Sequence, residues 1–401
     1  MGSHRALKSI RAFHPDLIRL RHAIHENPEL AFEETETAEL VASELLRYGV
    51  DQIHRGLGKT GVVGVIRGKQ ASGEPVRSVG LRADMDALPM HEANQFSHRS
   101  KKPGLMHGCG HDGHITMLLG AARQLCEARD FAGTVYLIFQ PAEEGHAGAR
   151  AMIDDGLFEQ FPCDAVFAMH NWPGLPAGQI SVRPGPVMAA ADRVRIEITG
   201  RGGHGAHPYM AVDPVVVAAQ IITAVQSIVS RNVNPMDAAV VSLCSMRAGD
   251  PTAVSVIPPS ATLDGTVRTF KKEVQNDIER RLAIMVKSVA EGFGASATIT
   301  YDHIYPATVN SPDESAFAAR IASALVGPEN MIGELPPSMG AEDFSFMLER
   351  RPGAYLRIGQ SGLEGGCFLH NTLYDFNDDI LPLGAALFVS LAQEYLAGGP
   401  A

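Results

Sequence analysis

The fold is indicated most clearly by residues 134–145, Thr134-Val135-Tyr136-Leu137-Ile138-Phe139-Gln140-Pro141-Ala142-Glu143-Glu144-Gly145, in which an apolar run ends in two adjacent carboxylates. The apolar half is typical of a buried strand. A helix is predicted from about Ala147 to Phe158, and a second apolar run, Ala165 to Met169, ends at His170. Because strands that alternate with helices form a largely parallel sheet, this segment predicts an α/β fold.

The same kind of pattern continues towards both ends of the chain. Apolar residues at helical spacing or in short extended runs mark the elements, and the alternation returns from about Ser311. The predicted helices are Asp16–Glu26, Glu34–Tyr48, His111–Ala128 and Asp379–Leu396, and the predicted strands are Val62–Ile66 and Val79–Leu81. We therefore expect helices to flank the sheet.

The middle of the chain has a different pattern. After a linker-like Pro184-Gly185-Pro186, the predicted order is β-α-β-β-α-β, which is typical of a small α+β domain. Its elements are predicted at 192–199, 213–231, 239–247, 261–269, 271–292 and 296–301. We predict an α+β domain at 186–302, inserted between two parts of an α/β domain, 1–185 and 303–401.

Composition limits the possible functions. The 401 residues are 45% hydrophobic and 20% charged, as in ordinary folded proteins, and a net charge of −11 argues against a nucleic-acid-binding surface. No basic patch favours a membrane, and no apolar stretch is expected to approach the ~18 residues of a membrane helix. Five cysteines without a repeated spacing indicate a reducing compartment, so we expect a cytoplasmic protein with a small-molecule partner.

A cluster of metal-binding residue types lies at 106–115, Met106-His107-Gly108-Cys109-Gly110-His111-Asp112-Gly113-His114-Ile115. Thiolates and neutral imidazoles are ligands that zinc and its first-row neighbours prefer, and the glycines allow the backbone to approach an ion closely. Cysteine and histidine also serve as packing and capping groups. A polar loop that opens a helix is therefore the alternative interpretation of this cluster.

Further candidate residues follow apolar runs elsewhere in the chain. Glu143 and Glu144 follow residues 134–139, while His170 and His370 each close an apolar run. Adjacent residues at a strand end point in opposite directions, so one glutamate can face a metal while the other acts as a base. Sites in open α/β sheets form outside the carboxyl ends of strands, and four such placements favour a site over isolated structural residues.

One glycine-rich motif is misleading. Residues 200–205, Gly200-Arg201-Gly202-Gly203-His204-Gly205, match the dinucleotide fingerprint G-x-G-x-x-G. The preceding strand alternates between polar and apolar residues, Pro208 interrupts the entry to the next helix, and Gln220 stands where a ribose-binding acid is needed. We therefore reject dinucleotide binding and keep His204 as a candidate residue.

The chain resembles the dinuclear-metal aminoacylase and carboxypeptidase family, and within it the branch of hippurate hydrolases and indole-acetyl-amino-acid amidohydrolases. The motifs that carry the resemblance are His25–Leu30, Arg82–Pro89, Met106–His114, Gln140–Gly145, Met169–His170, Gly200–Pro208, Gly340–Phe344, and His370 with Tyr374–Asp378. The resemblance implies two divalent metal ions, zinc or else manganese, cobalt or nickel. It implies that Glu143 is the general base and that the ligands are Cys109, His111, Glu144, His170 and His370.

The same resemblance assigns roles to the inserted domain. It implies a lid that forms a homodimer, from which His204 reaches the partner's site to stabilise an oxyanion, while Arg268 binds the substrate carboxylate. An ordinary exposed strand arginine is the alternative for Arg268. The family usually has asparagine where this chain has Ser255, which puts the substrate preference in doubt.

The remaining polar residues near the motifs are expected to orient the ligands. These residues are Asp84, Asp86, His107, Asp112 and His114.

The expected reaction is metal-dependent amide hydrolysis of an N-acyl amino acid. Dipeptidase or carboxypeptidase action at the same site is the nearest alternative. A metal-free thiol hydrolase, with Cys109 activated by His111, and a catalytically silent metal-dependent binding protein are two further alternatives. An intact Glu143 argues against the silent protein, which has no need of a base.

Overall fold

The computed structural model describes residues 2–69, 77–361 and 367–400. The α-helices of this part of the chain are α1 (Gly2–Ala12), α2 (His14–His25), α3 (Thr35–Tyr48), α4 (His111–Ala128), α5 (Glu143–His146), α6 (Gly148–Asp154), α7 (Leu157–Gln160), α8 (Pro214–Asn232), α9 (Lys272–Gly292), α10 (Pro312–Val326), α11 (Ser345–Leu348) and α12 (Leu381–Ala397). Short 3-10 turns lie at Pro208–Met210, Pro328–Asn330 and Asp378–Ile380.

The strands follow the same order along the chain. They are β1 (Gln52–Leu57), β2 (Gly61–Arg67), β3 (Ser78–Asp84), β4 (Thr134–Gln140), β5 (Ala165–Pro173), β6 (Ile180–Ser181), β7 (Gly185–Met188), β8 (Ala190–Thr199), β9 (Gly203–His204), β10 (Ala239–Ala248), β11 (Val256–Ile257), β12 (Ser260–Thr269), β13 (Ser296–Tyr305), β14 (Thr308–Asn310), β15 (Met331–Ile332) and β16 (Gly353–Ser361).

The chain divides into two compact units. The larger unit contains Met1–Val187, Thr308–Pro336 and Asp343–Ala401, and the smaller unit contains Met188–Ala307 and Pro337–Glu342. The division falls next to the boundaries expected at 185 and 302, and it adds a short segment from the C-terminal half to the smaller unit.

An eight-stranded sheet forms the centre of the larger unit, in the order β1-β2-β4-β3-β5-β16-β6-β15. The four central strands β4, β3, β5 and β16 are parallel, whereas β1, β2 and β4 are joined by antiparallel pairing. Asp84, the last residue of β3, pairs with Gln140, the last residue of β4. The predicted α/β fold is therefore confirmed, and the carboxyl ends of these strands meet at one edge.

Two helices bury most of their surface in the core of this unit. Helix α4 is buried over nearly its whole first three turns, and α12 packs against it. Helix α12 is apolar on all sides, which suits a helix that is enclosed by other elements. The start of α4 is thereby held at a fixed position next to the sheet.

Two local expectations from the sequence are wrong. The helix predicted from Ala147 to Phe158 is divided into α6 and α7, because Gly156 between them adopts a left-handed conformation with φ of 88°. The run that precedes His370 is expected to be a strand, but its described residues Cys367–Leu369 form irregular backbone that leads into a turn. His370 itself has a φ of 63°, which is incompatible with a strand.

The smaller unit contains a four-stranded antiparallel sheet in the order β10-β12-β8-β13. Helices α8 and α9 contact each other and the sheet, and together they bury apolar residues such as Val194, Ile221 and Leu282. Strand β8 alternates between buried and exposed residues from Asp192 to Thr199, as the sequence pattern predicts. The βαββαβ order expected for the insert is confirmed.

Within the part of the chain that the structure describes, two helical segments are long and apolar enough to cross a membrane by length and composition alone, α8 and Asp378–Ala397. The expectation that no apolar stretch approaches this length is therefore wrong. In the C-terminal segment, 78% of the apolar window is buried inside the protein, as expected for a core helix. In α8 the buried share is 33%, and its buried side chains belong to the core of the smaller unit.

Candidate metal centre

The start of helix α4 brings Cys109 and His111 to the carboxyl edge of the sheet. Gly110 between them has a φ of 94°, in the left-handed region that favours glycine. A Cβ at this position would lie 2.4 Å from Asn171 Oδ1 and 2.6 Å from the Tyr374 hydroxyl oxygen. Only glycine fits this turn, and the turn places the thiol and the imidazole side by side.

One group of potential ligand atoms consists of Cys109, His111 and His170, whose donor atoms all lie within 4.8 Å of one another. His170 donates from Nδ1 to the carbonyl oxygen of Asn171 at 2.7 Å, and its Nε2 lies 3.5 Å from Cys109 Sγ. His111 donates from Nδ1 to the carbonyl oxygen of Asp86 at 2.8 Å. Both rings are therefore oriented by backbone carbonyls and direct Nε2 towards the same space.

A second group shares the same cysteine and consists of Cys109, Glu144 and His370. His370 Nε2 lies 3.1 Å from Glu144 Oε1, and the backbone N–H of His370 donates to the carbonyl oxygen of Gly108 at 2.7 Å. That backbone bond ties the C-terminal turn to the loop before α4. The five side chains predicted as ligands thus form two overlapping groups with the thiol in common.

The donor set fits divalent metal ions. His111 Nε2 is buried and has no hydrogen-bond partner within the described part of the chain, although such atoms are normally satisfied. Thiolate, imidazole and carboxylate together are the ligand types of zinc sites and of sites for its first-row neighbours. A cation would use the ring nitrogen that is otherwise left without a partner.

The electrostatics of the centre also favour a cation. Burial raises the pKa of Cys109 well above its ordinary value, and the carboxylates of Glu144, Glu143 and Asp84 raise it further. Burial lowers the pKa of His111, but Asp84 and Asp86 outweigh that effect and raise it to about 10. The carboxylates therefore create a negative potential that a divalent ion would neutralise.

These pKa shifts also bear on the thiol-hydrolase alternative. A nucleophilic cysteine requires a lowered pKa, which is the opposite of what burial and the carboxylates produce at Cys109. For His170, burial and the neighbouring His114 lower the pKa well below its ordinary value, so the ring is the neutral form that binds metals. The surroundings suit metal ligation and oppose a free thiolate.

Glu143 and Glu144 begin the short element α5 after β4, which is a turn because Glu144 (ψ 78°) and Gly145 (φ 81°) have non-helical backbone angles. The two glutamates face different neighbours. The carboxylate of Asp86 accepts hydrogen bonds from the backbone N–H groups of Glu143 at 3.0 Å and Glu144 at 2.9 Å. Glu143 is buried and accepts from the backbone N–H of Asp343 at 3.4 Å, whereas Glu144 contacts His370. The expected separation of the two carboxylates is present, but a turn produces it and not the pleat of a strand.

The residues expected to orient the ligands occupy different places. Asp84 accepts from His114 at 2.6 Å and from Arg82 at 2.7 Å, beside His111. Asp112 instead turns towards α2, where it contacts His25 at 2.8 Å.

His107 differs from these residues. It is buried, and neither of its ring nitrogens has a hydrogen-bond partner among the described residues. The structure thus places Asp84, Asp86 and His114 beside the predicted ligands. Asp112 joins α4 to α2, and the ring of His107 makes no hydrogen bond within the described residues.

In the smaller unit, His204 and Ser255 lie next to each other. Strand β9 pairs with β11 so that His204 faces Val256, and the backbone N–H of Gly205 donates to the carbonyl oxygen of Ser255 at 2.7 Å. His204 is exposed, and its Nδ1 accepts a hydrogen bond from the backbone N–H of Ala206 at 3.0 Å. Because a backbone N–H only donates, the proton of the neutral His204 ring resides on Nε2, which points away from this contact.

Arg268 lies elsewhere in the same unit. Strand β12 begins at Ser260, whose partner Thr199 leads directly into the glycine turn before His204. Arg268 is eight residues further along this strand, which corresponds to roughly 26 Å. Its guanidinium donates to the Thr266 hydroxyl and to the carbonyl oxygen of Val267. The structure brings His204 and Ser255 together but does not bring Arg268 to them.

Several residues that support the centre were not predicted from the sequence. Asp343 accepts from Gln140 at 2.8 Å and from the backbone N–H of Ala149 at 2.9 Å, and it pairs with Arg82 at 3.1 Å. Its position in the Gly340–Phe344 motif was the only sequence signal. Glu34, which contacts Ala142, lies outside the quoted motifs.

Comparison with known proteins identifies the family. The model of peptidase family M20/M25/M40 matches residues 80–394. The chain belongs to this family. It is 42% identical to a hippurate hydrolase of Campylobacter jejuni over 94% of this chain and 96% of that protein. It is 41% identical to the IAA-amino acid hydrolase ILR1-like 2 of Arabidopsis thaliana over 95% of this chain and 85% of that protein.

A solved structure agrees with this assignment. The Bacillus subtilis YXEP protein, a dinuclear metal-binding peptidase of family M20, superposes with a TM-score of 0.82. The two chains are 34% identical, and the match covers 96% of this chain and 99% of that one. The family and branch predicted from the sequence motifs are confirmed.

Proposed function

We propose that this chain is a metal-dependent amidohydrolase that cleaves N-acyl amino acids into a carboxylic acid and an amino acid. The observation that carries the proposal is a buried carboxylate, Glu143, beside two groups of ligand atoms that share Cys109. The ligands would be Cys109, His111, Glu144, His170 and His370, and they would hold two divalent ions. Zinc suits the thiolate and imidazole donors, with manganese, cobalt or nickel as alternatives.

Glu143 is the proposed general base. Divalent ions, when bound, acidify water and polarise a carbonyl oxygen. Glu143 removes a proton from the attacking water and passes it to the leaving amine nitrogen. The amides of Glu143 and Glu144 are held by Asp86, and Glu143 accepts from the backbone N–H of Asp343, so the carboxylate is oriented before substrate arrives.

His204 is the proposed donor to the oxyanion. Its Nδ1 is already occupied by the amide of Ala206, so Nε2–H is free to donate from an exposed position. A positioned donor of this kind stabilises the charge that develops on the carbonyl oxygen. We propose that residues 188–307 act as a lid and form a homodimer, in which the partner's His204 completes the site.

Arg268 and Ser255 are proposed to bind the free carboxylate and neighbouring atoms of the amino acid. A guanidinium is suited to bidentate recognition of a carboxylate. Because Arg268 lies roughly 26 Å along the sheet from the His204 turn, one copy of the smaller unit cannot place both residues on one small substrate. A dimer would resolve this separation, since one subunit can supply His204 together with Ser255 and the other can supply Arg268.

The free cysteines bear on the location of the protein in the cell. All five cysteines are free thiols, as expected in a reducing compartment, and the cytoplasm is the proposed location.

The experiment that tests this function combines metal analysis with a substrate panel. Purified protein is assayed for metal content and for hydrolysis of N-benzoyl, N-acetyl and indole-acetyl amino acids and of dipeptides, with and without a chelator. We expect bound divalent metal and chelator-sensitive hydrolysis of at least one N-acyl class. Preferential cleavage of dipeptides would favour the peptidase alternative, and hydrolysis that survives removal of the metal would refute the metal mechanism.

A further inference from the structure

A buried carboxylate outside the quoted motifs supports the turn that carries Glu143. Glu34 directly precedes α3 and is completely buried. One of its oxygens accepts a hydrogen bond from the backbone N–H of Ala142 at 2.9 Å, and the other accepts from the Thr60 hydroxyl. Glu34 therefore connects the loop before β2 with the residue that immediately precedes the proposed base.

Burial disfavours the charged form of the Glu34 carboxylate. Burial, and to a lesser extent the nearby Asp86, raises the pKa of Glu34 to about 7, although the hydrogen bonds from Thr60 and Ala142 lower it. A buried group of this kind destabilises the fold in its charged form unless its oxygens are well satisfied. The two hydrogen bonds of Glu34 are therefore needed, and one of them holds the catalytic turn.

The turn itself requires support. Ala142 adopts a left-handed conformation with φ of 56°, and so does Ala147 at the other end of the turn. Alanine rarely adopts this conformation, and such residues persist where their surroundings hold them. The carbonyl oxygen of Ala142 accepts from Gly148 N–H at 3.0 Å, and Asp86 holds the next two amides. Glu34 supplies a further contact, at the Ala142 amide.

We propose that Glu34 is a positioning residue for Glu143. Within the described residues its carboxylate bonds go to Thr60 and Ala142 and not to the donor atoms of the predicted ligands, so it acts through the backbone of Ala142. Loss of its carboxylate leaves the buried Ala142 amide unsatisfied and frees the turn from one of its anchors. The inference rests on the proposed role of Glu143 as the base.

The chain offers a matched control in Glu29. This carboxylate is also buried and lies before the same helix, where it accepts from the backbone N–H groups of Thr37 at 2.8 Å and Glu36 at 3.2 Å. Its hydrogen bonds among the described residues go to the start of α3 and not to the turn at 141–148. Replacement of Glu29 therefore reports the general effect of removing a buried carboxylate from this region.

The test compares the metal-loaded wild type with Glu34→Ala, Glu34→Gln, Glu34→Asp and Glu29→Ala. For each protein, kcat and KM are measured on the best N-acyl amino acid, and hydrogen exchange is measured by mass spectrometry for a peptide that spans residues 139–147. Glu34→Gln preserves both contacts, because its amide oxygen accepts from Ala142 and its NH2 donates to the Thr60 hydroxyl. Glu34→Asp is one methylene shorter and cannot reach both partners.

We expect Glu34→Ala to lower kcat by roughly tenfold to a hundredfold with KM changed by less than about twofold, because the base is misplaced while binding is kept. Exchange in the 139–147 peptide should accelerate in Glu34→Ala and Glu34→Asp but not in Glu29→Ala. Glu34→Gln should retain most of the activity. Where Glu34→Ala does not fold, the contrast between Glu34→Asp and Glu34→Gln decides the question.

The proposal is overturned by a wild-type kcat in folded Glu34→Ala or in Glu34→Asp, or by an equal loss in Glu29→Ala. Failure of the proposed function has a different signature, which is a wild type that hydrolyses no N-acyl amino acid. In that case the exchange measurement still decides whether Glu34 holds the turn, since it requires no turnover.

Discussion

The carboxyl edge of the eight-stranded sheet and the His204 end of the smaller unit hold their polar residues in opposite ways. At the sheet edge, the buried carboxylate of Asp86 accepts hydrogen bonds from two backbone amides. The backbone carbonyl of the same residue orients His111. His204 is exposed, and within the described residues its ring is held by one hydrogen bond, from the backbone N–H of Ala206. The first region has the buried, hydrogen-bonded polar groups that the proposed ligands and base require, whereas in the second we propose that an exposed imidazole acts on the site of a partner subunit.

This difference explains how the proposed roles are divided. Ligands and a base require fixed geometry and altered pKa values, which burial and neighbouring charges provide. A donor to a developing oxyanion must instead approach after the substrate has bound, which suits the exposed side chain of His204 on the proposed lid.

The largest loss of kcat is expected when the proposed base, Glu143, is replaced. Glu143→Gln keeps the shape of the side chain but removes its ability to take a proton, so kcat should fall by about 10²–10⁴ while the metal content is unchanged. Steady-state kinetics and elemental analysis of the same preparation measure both quantities. Glu127→Gln, an exposed change on α4, is the control and should behave as the wild type. An active Glu143→Gln enzyme would remove Glu143 from the mechanism.

The next largest loss of kcat is expected when the exposed His204 is replaced. His204→Ala should lower kcat by about 10²–10³ and leave the fold and metal content intact. His207, whose ring lies 5.3 Å from that of His204 on the same turn, provides the control. We expect His207→Ala to retain activity. Equal rates for His204→Ala and the wild type would refute the oxyanion role.

A smaller loss is expected when the support of the metal centre is weakened. Asp86→Asn retains the size of the side chain but removes its negative charge. It also removes one of the two carboxylate oxygens that accept hydrogen bonds from the backbone N–H groups of Glu143 and Glu144. Metal affinity or activity should fall by about 10–100-fold, as is typical for residues that orient ligands. Competition with a chromogenic chelator measures the affinity. An unchanged affinity together with unchanged kcat would show that Asp86 is not needed to organise the turn.

The smallest effect concerns the pH dependence of stability. The folded-state pKa of Glu34 is about 7, above its ordinary value of 4.5, because burial and then Asp86 disfavour the charge. Its contribution to stability is therefore present below its unfolded-state pKa and is lost as the pH rises through about 7. Glu34→Gln does not titrate, so its free energy of unfolding should improve relative to the wild type between about pH 5 and pH 8. Denaturant unfolding at several pH values measures the difference, and a constant difference would contradict the raised pKa.

The sequence predicted the ligand residues more readily than the supports around them. Cys109 and His111 belong to a dense local motif, and Glu143, Glu144 and His170 follow or end apolar runs. The contact of Glu34 with Ala142 joins positions 108 residues apart, and no local pattern marks such a pair.

The local conformations were also less predictable. Gly156 interrupts an otherwise helical pattern by adopting a left-handed conformation, and His370 lies on a turn where an apolar run suggested a strand. In both places a single backbone conformation decides the structure, and periodicity does not report it. The separation of Arg268 from His204 likewise required the strand register, which the sequence pattern alone did not give.

We propose that five side chains, which form two groups with Cys109 in common, make a two-ion hydrolytic centre. The most direct test is to strip the protein of metal and add back zinc or manganese in measured amounts while hydrolysis of an N-acyl amino acid is followed. We expect no activity in the stripped protein and recovery that reaches its maximum at about two ions per chain. Full activity in the stripped protein, with metal absent by elemental analysis, would refute a metal-dependent mechanism.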